Sequence, residues 1–294
     1  MTQRTVAKRI YPYLLIGPAV VFVVFVSLYP ALYTFYLSVH RTRRGVMEYI
    51  GFRNFEIIWE SSNFWNSIQL TFIFGFAFLL LVIGLGLALA LVFNSRLQGN
   101  TLYMTIIFIP WMISEVVAGV MWRWLFLPNL GVLQNLLGPL FASDGGTYMF
   151  LSDGTGAMGV VVMATFWRSL AFATLLLLAG LQTIPSELGE AASIDGANRW
   201  QAFRRVTWPL LLPTTQVTVV FMSIQAVNAI GMFLSITGGG PGRATEVLSL
   251  QMYKEALQFN NWGYAGSLAV VMFFINAALA VIYIRSLQSQ NAFD

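Results

Sequence analysis

The chain has 294 residues, of which 57% are hydrophobic and only 10% are charged, and its net charge is +4. Its mean hydropathy of +0.72 lies far above that of an ordinary soluble domain, so the composition indicates a membrane protein. The chain contains no cysteine and a single histidine, His40, which excludes disulfides, thiolate metal sites and histidine-rich metal centres. The arginines are scattered among connecting segments, a distribution that gives no support to nucleic-acid binding.

Six apolar runs decide the fold class. A helix needs roughly 20 mostly apolar residues to cross the hydrocarbon core of a bilayer, whereas a barrel strand needs about 10. The runs match the first length, so we predict an all-α, polytopic membrane protein with six transmembrane helices, at about 12–39, 67–93, 101–127, 156–182, 208–234 and 263–285. The first run follows a basic segment but is too long for a signal peptide, so we interpret it as a retained anchor.

The distribution of Lys and Arg predicts the orientation, because cytoplasmic loops carry an excess of both. With both termini inside, the inside segments hold slightly more basic residues than the outside segments, although the cluster Arg41–Arg44 points the other way. We therefore expect a cytoplasmic N-terminus at 1–11, a transmembrane domain at 12–285 and a cytoplasmic tail at 286–294. The polar stretch at 183–207, between the fourth and fifth spans, then lies in the cytoplasm.

This polar stretch carries the signals of two short helices joined by a turn. Ser186 is predicted to cap the first helix through its side chain. Asp195 and Gly196 form a turn signal, and Asn198 with Gln201 three residues later forms a capping-box pattern for the second helix. A loop that only connects two spans needs few residues, so we expect this helical hairpin to dock on a partner.

A pump needs an energy source, and the sequence lacks a nucleotide-binding loop. Its only lysines, Lys8 and Lys254, do not follow glycine, so the phosphate-binding pattern G-x-x-x-x-G-K-[ST] cannot occur. The glycine-rich stretch TGGGPGR, Thr237–Arg243, is predicted to be a flexible turn after a span. If ATP drives transport, a partner hydrolyses it, and this chain is a non-catalytic subunit rather than an enzyme.

Three ionisable side chains fall within the predicted spans, where each costs roughly 2.5–3.5 kcal/mol on insertion scales. Arg123 lies between two tryptophans near the end of the third span and is expected at the membrane interface. Glu115 and Arg168, midway along spans three and four, form either a structural ion pair or part of a polar substrate pathway. Gln225 and Asn228 share a face of span five and either form hydrogen bonds between helices or belong to the substrate pathway.

The segment EAASIDGANRWQAFRRVTWPLLLP resembles the EAA loop of the permease subunits of binding-protein-dependent ABC importers. The motif has Glu-Ala-Ala, then three residues, Gly, and later Leu-Pro, and these places are held here by Glu190, Ala191, Ala192, Gly196, Leu212 and Pro213. The segments IPWMISEVVAGVMWRWLF, ITGGGP and LSLQMYKEALQFNNWGYAGSLAVV are similar to the maltose, trehalose and glycerol-phosphate type of sugar importer. The resemblance covers nearly the whole chain and suggests the first of two permeases with the MetI-like fold.

The resemblance also implies partners. A permease of this family lies in a bacterial or archaeal plasma membrane and pairs with a second permease and two ATPase subunits, while an extracytoplasmic binding protein delivers the substrate. ATP and magnesium are then bound by the ATPases, and the permease carries no cofactor of its own. In the family the EAA loop docks in a cleft of the ATPase, a role implied here for Glu190, Ala191, Ala192, Asp195 and Gly196.

Maltose-type members contact sugar through the spans that correspond to three, four and five here. Aligning the motifs implies a substrate site formed by Trp111, Glu115, Thr165, Arg168, Ser169 and Phe172, with Gln225 and its neighbour Asn228 from a face that also holds Met222, Ala226 and Ala229. The Glu and the Arg replace small or neutral groups of the maltose pattern, which argues against maltose itself. The importer is expected to carry an oligosaccharide or a sugar derivative. An Arg suits a phosphate, sulfonate, carboxylate or hydroxyl group, while Trp111 and Trp167 suit the apolar face of a sugar ring.

Two other interpretations of the residues stay open at this point. A gradient-driven secondary transporter or channel could use Glu115 and Arg168 as a proton or ion relay without ATP, but it leaves the polar hairpin without a purpose. A structural membrane scaffold predicts that neutralising Glu115 and Arg168 leaves uptake unchanged.

Overall fold

The computed structural model describes residues 15–43, 46–95, 99–142 and 146–290. The chain divides into two compact units, one formed by Met1–Ser61 and Met252–Val271 and the other by Ser62–Gln251 and Met272–Asp294. The expected N-terminal segment 1–11 lies outside the described residues, as do residues 291–294 of the expected tail.

The first unit begins with helix α1, Leu15–Ser38, which is long and apolar enough to cross a membrane. An antiparallel hairpin of β1, His40–Arg43, and β2, Val46–Tyr49, comes next and is followed by helix α2, Arg53–Glu60. The all-α prediction missed this hairpin, because strands of only four residues are too short to show a hydrophobic periodicity.

Hydrogen bonds from Asn54 connect α2 to the end of α1. Its buried side-chain amide donates hydrogen bonds to the carbonyl oxygens of Ser38, at 2.9 Å, and His40, at 3.0 Å. Ser267, on the final helix, donates to the same Ser38 carbonyl at 3.1 Å. The backbone of Gly263 lies so close to His40 that a Cβ at position 263 would be 2.0 Å from the His40 carbonyl oxygen. Side chains therefore satisfy carbonyls that the end of α1 leaves free.

Most of the remaining helices lie in the second unit. They are α3 Ser62–Asn94, α4 Asn100–Met112, α5 Glu115–Leu125, α6 Val132–Phe141, α7 Gly154–Gln182, α8 Ser186–Ile194, α9 Arg199–Ala202, α10 Trp208–Val227 and α11 Gly231–Ile236. Helices α12, Leu248–Tyr253, and α13, Trp262–Gln290, cross from one unit to the other. A short 3-10 turn at Phe150–Ser152 precedes α7.

The core of the second unit lies between α3 and α7, which pack side by side. Phe74 of α3 and Leu177 of α7 are fully buried, and Leu211 of α10 joins the cluster around Leu177. Gly86 allows the two long helices to approach, because a Cβ there would lie 3.3 Å from the Cβ of Ala173. Close packing of small against large side chains, rather than charge, holds the central helices together.

Five helices in the described part of the chain are long and apolar enough to cross a membrane, and a sixth span is counted if α4 and α5 are one interrupted span. The prediction of one continuous helix at 101–127 is therefore wrong, because the axes of α4 and α5 differ in direction by 94°. Pro110 lies in the last turn of α4, and Ile113 and Ser114 adopt extended backbone with ψ of 135° and 142°. Proline removes a helical N–H donor and crowds the preceding turn, which favours an end to the helix here.

The fifth predicted span, 208–234, is interrupted as well. Helix α10 ends at Val227, and α11 begins at Gly231. The Ala229 carbonyl, which the break leaves outside a helix, accepts a hydrogen bond from the buried Ser249 hydroxyl. Backbone freed within a span must find such a partner, since the hydrocarbon region offers no water.

The polar stretch between α7 and α10 forms the predicted helical hairpin. The capping box is confirmed, since Asn198 and Gln201 exchange hydrogen bonds between side chain and backbone, both at 2.9 Å. Gly196 turns the chain with a φ of +82°. The prediction that the Ser186 side chain caps α8 is wrong, because Pro185 holds the N-cap position and no capping hydrogen bond forms at this helix start. Helix α9 continues through a π turn into α10, so Arg199–Val227 is one helical segment of 29 residues.

The glycine-rich stretch Thr237–Arg243 turns the chain as predicted, but hydrogen bonds close the turn. The Thr237 and Thr245 hydroxyls lie 2.7 Å apart, and the Thr245 hydroxyl donates to the Gly240 carbonyl at 2.8 Å. Thr245 is fully buried. The composition predicted a flexible connection, because glycine allows the backbone many conformations. The hydrogen bonds of the two threonines restrict this freedom, and the glycine content alone does not reveal them.

Candidate functional site

Two helix breaks define the candidate site in the second unit. The break between α4 and α5 lies at Ile113 and Ser114, and the break between α10 and α11 lies at Asn228–Ile230. Helices α5 and α11, which begin after the two breaks, pack against each other. Interrupted spans free backbone donors and acceptors at membrane depth, so their meeting point is where a polar substrate would find partners.

Glu115 and Arg168 meet at the first of these breaks. An Arg168 Nη1 donor lies 3.4 Å from Glu115 Oε1, and Arg168 Nε donates at 3.0 Å to the Ile113 carbonyl that the break has freed. The side chain of Arg168 is 20% exposed and that of Glu115 is 44% exposed. Glu115 is also the first residue of α5, where a carboxylate complements the positive end of the helix.

Aromatic rings flank the same break. The ring of Trp111 stacks on Phe172 at 5.6 Å between centroids and 10° between planes, and Phe172 contacts Phe221 at 4.9 Å. Trp111 remains 40% exposed, so one part of its surface is open. Trp167 contacts Trp122 at 6.0 Å and belongs to a different ring group. An exposed indole beside a guanidinium offers both an apolar face and hydrogen-bond donors.

The remaining residues expected in the substrate site differ in their burial and in their hydrogen-bond partners. Thr165 is half-buried and donates to the Val161 carbonyl of its own helix at 2.8 Å, and Ser169 is buried. Asn228 is exposed and donates to the Ile224 carbonyl at 2.7 Å and to Asn276 at 3.4 Å.

The expected face of span five does not form as one surface. Met222, Ala226 and Ala229 are buried in the core, whereas Gln225 is exposed. An ungapped alignment assumes a continuous helix, but α10 ends at Val227, so Ala229 lies beyond the helix that carries Met222, Gln225 and Ala226. The structure brings together Trp111, Glu115, Arg168 and Phe172.

Sequence reasoning missed two participants in this arrangement. One is the Ile113 carbonyl, which becomes available only because α4 ends there. The other is Gly231, whose missing Cβ leaves room for the Glu115 side chain. The position of Pro110 shortly before a charged residue is the one sequence signal that pointed to a break.

The hairpin of α8 and α9 exposes both charge and apolar surface. Glu190, Ala191 and Asp195 are exposed, Ala192 is half-buried, and Gly196 lies in the turn between the helices. Among its apolar side chains Ile194 is 86% exposed and Trp200 is 66% exposed. Large exposed apolar side chains next to acids are typical of a surface that a partner covers.

Asp153, outside the spans, caps the start of α7. The Tyr148 hydroxyl donates a hydrogen bond to its carboxylate, and the Gly156 backbone N–H donates another at 2.8 Å. Both bonds, the one from Tyr148 first, lower the pKa of Asp153 below its ordinary value. The same bond to Asp153, helped by burial, raises the pKa of Tyr148.

The long apolar helices, the interrupted spans and the exposed hairpin together define a membrane component of a transport system. Residues 81–291 match the family model of the binding-protein-dependent transport system inner membrane component, and the chain belongs to this family. It is thus a multi-pass membrane protein with the MetI-like permease fold that the EAA motif predicted.

Two relatives and one solved structure agree with this assignment. The sn-glycerol-3-phosphate transport system permease protein UgpA of Rhizobium meliloti (strain 1021) is 33% identical over 292 residues, which cover 98% of each chain. The trehalose/maltose transport system permease protein MalF of Thermococcus litoralis is 32% identical over 275 residues, 93% of this chain and 92% of the relative. A bacterial alginate ABC transporter, solved in complex with its alginate pentasaccharide-bound periplasmic protein, contains a chain with a TM-score of 0.81 and 22% identity. The match covers 96% of the present chain and 95% of the other, and it shows the fold.

Proposed function

We propose that this chain is one of two permease subunits that form the pathway of an ATP-driven importer for a carbohydrate, either an oligosaccharide or a sugar derivative. The observation that carries the proposal is the meeting of Arg168, Glu115 and Trp111 at the break of the third span. The two relatives are named as transporters of sn-glycerol-3-phosphate and of trehalose and maltose, and these substrates support the substrate class.

The proposed site has the chemistry that a sugar requires. Each sugar hydroxyl both donates and accepts hydrogen bonds, and Arg168 supplies donors while Glu115 supplies acceptors. The exposed part of Trp111 offers an apolar surface for the pyranose ring. Thr165, Ser169, Phe172, Gln225 and Asn228 complete the proposed substrate set.

The hairpin is proposed to couple this site to ATP. Glu190, exposed on α8, would meet basic residues of an ATPase subunit, with Ala191, Ala192, Asp195 and Gly196 shaping the contact. ATP and magnesium would be held by two such ATPase subunits, a second permease would supply the other half of the pathway, and an extracytoplasmic binding protein would deliver the sugar. Coupling then requires the hairpin, residues 183–207, and both termini, 1–11 and 286–294, on the cytoplasmic side of the plasma membrane.

Reconstitution tests the proposal. The chain is purified with its co-purifying partners, and the ligand of the associated binding protein is found by a thermal-shift screen with sugars and sugar phosphates. In proteoliposomes that ligand should enter only with ATP, and Arg168→Gln should reduce uptake while Arg123→Gln, a matched arginine change in α5, should reduce it much less. Uptake driven by an ion gradient without ATP, or a complex without an ATPase, would refute the proposal.

A further inference from the structure

Helices α5 and α11 contact each other at their first residues. Glu115 begins α5, and Gly231 begins α11. A Cβ added at position 231 would lie 2.6 Å from Glu115 Oε2 and 2.8 Å from Glu115 Cβ. Nonbonded carbon and oxygen atoms do not approach so closely, since their optimal separation is about 3.5 Å or more. Glu115 in its observed position therefore excludes every side chain at 231.

The backbone of Gly231 gives no reason for glycine. Its φ lies outside the left-handed range that favours this residue, in contrast to Gly238 and Gly239 a few residues later. The contact with Glu115 is the feature that requires the missing Cβ.

The same contact fixes what Arg168 presents to a substrate. Arg168 is held by its Nε at the Ile113 carbonyl, so its position is set independently of Glu115. The Glu115 carboxylate reaches it through a single long hydrogen bond of 3.4 Å, and a small displacement of the carboxylate breaks this bond. A side chain at position 231 would therefore change how closely the Glu115 carboxylate approaches the guanidinium.

We propose that Gly231 is a positioning residue for substrate selection: it lets Glu115 stay beside Arg168, so that the site prefers neutral, polyhydroxylated groups over anionic ones. A lone guanidinium attracts phosphate or carboxylate, whereas an arginine paired with a carboxylate offers donors and acceptors to hydroxyl groups. Displacing Glu115 turns the paired arginine into a lone guanidinium and therefore favours anionic groups. This inference rests on the proposed carbohydrate function of the site.

The chain supplies a matched control. Gly119 lies one turn further along α5, and a Cβ there would lie 2.6 Å from Ser235 Cβ on α11. Gly119→Ala therefore creates the same steric conflict between the same two helices as Gly231→Ala, but away from Glu115. A purely structural role predicts the same effect for both variants.

The experiment measures equilibrium binding of labelled trehalose and trehalose 6-phosphate to the purified permease–ATPase complex without binding protein. We expect the wild-type complex to prefer trehalose, and Gly231→Ala to shift the affinity ratio toward the phosphate by about fivefold, the size of one partly exposed charge interaction. Gly119→Ala should leave the ratio unchanged. In a Glu115→Gly background, Gly231→Ala should have no further effect on the ratio, because the side chain through which it acts is gone.

Each other outcome counts against a specific claim. Equal ratios for Gly231→Ala and Gly119→Ala overturn the positioning role while leaving carbohydrate binding intact. A wild-type complex that binds trehalose 6-phosphate as tightly as trehalose overturns this inference and leaves the proposed carbohydrate function standing. If Gly231→Ala does not assemble, recovery of assembly in Glu115→Gly/Gly231→Ala supports the contact, and absence of recovery overturns it.

Discussion

The hairpin and the helix-break site are two polar regions of the second unit, and their polar groups find partners in opposite ways. In the hairpin, Glu190 and Asp195 are exposed and need no partner inside the protein. At the break, Arg168 is held by a carbonyl and a carboxylate from another helix. The first region exposes groups that a partner can meet from outside, whereas in the second region partly exposed polar groups from different elements bond to one another.

This difference also explains what the sequence could predict. The hairpin depends on local signals, since Asn198 and Gln201 are three residues apart and Gly196 sets the turn by its own conformation. These features were predicted, apart from the Ser186 cap, where Pro185 took the N-cap position.

The break site depends on contacts between distant residues. Arg168 bonds a carbonyl 55 residues earlier in the chain, and no periodicity encodes that pairing. Charge within apolar runs identified Glu115 and Arg168, because their cost in the membrane is a property of composition. Composition could not identify Gly231, because this residue acts by leaving space for the Glu115 side chain.

The largest expected effect concerns the exposed region. Glu190→Lys should reduce ATP-dependent uptake by roughly 30-fold or more, since reversing a charge at a desolvated partner contact costs about 2 kcal/mol or more. Glu187→Lys, an identical change one turn earlier on α8, should have a much smaller effect. The comparison is made by uptake and by co-purification of the ATPase. Equal losses in both variants would show that the hairpin responds to total charge rather than to Glu190.

A smaller effect is expected in the break site. Trp111→Ala removes the ring that stacks on Phe172 and should raise the half-maximal substrate concentration by about fivefold to tenfold, from about 1 kcal/mol of lost aromatic contact. Trp124→Ala, which removes a more exposed indole from α5, serves as the control and should leave this concentration unchanged. The site assignment fails if Trp124→Ala raises the half-maximal substrate concentration as much as Trp111→Ala does.

Replacing each of two hairpin glycines by alanine should change the stability of the hairpin in opposite directions. Gly196→Ala forces a side chain into a φ of +82° and should destabilise the hairpin by about 1 kcal/mol. Gly189→Ala lies within α8 in open space and should stabilise the helix by about 0.5–1 kcal/mol. Amide hydrogen exchange at 186–207 measures both changes. A loss of protection in both variants would contradict the described turn.

The smallest effect concerns Asp153 and pH. Because the folded pKa of Asp153 is lowered, its contribution to stability is complete above the ordinary value of about 3.9 and is lost as the pH falls through the lower folded pKa. Tyr148→Phe removes the leading cause of the shift, so the pKa of Asp153 should rise and less stability should be lost on acidification. A carboxyl carbon NMR titration reports this pKa, and Tyr103→Phe should leave it unchanged.

The uninterrupted helix from Arg199 to Val227 makes the hairpin and the fifth-span break two ends of one rod. At 1.5 Å per residue, its 29 residues span about 43 Å. A tilt imposed at Arg199 therefore moves Val227 in the opposite direction about whatever point the bundle holds fixed. Leverage of this kind needs no chain of intermediate contacts, because the hairpin and the break at Asn228–Ile230 lie at the two ends of one helical segment.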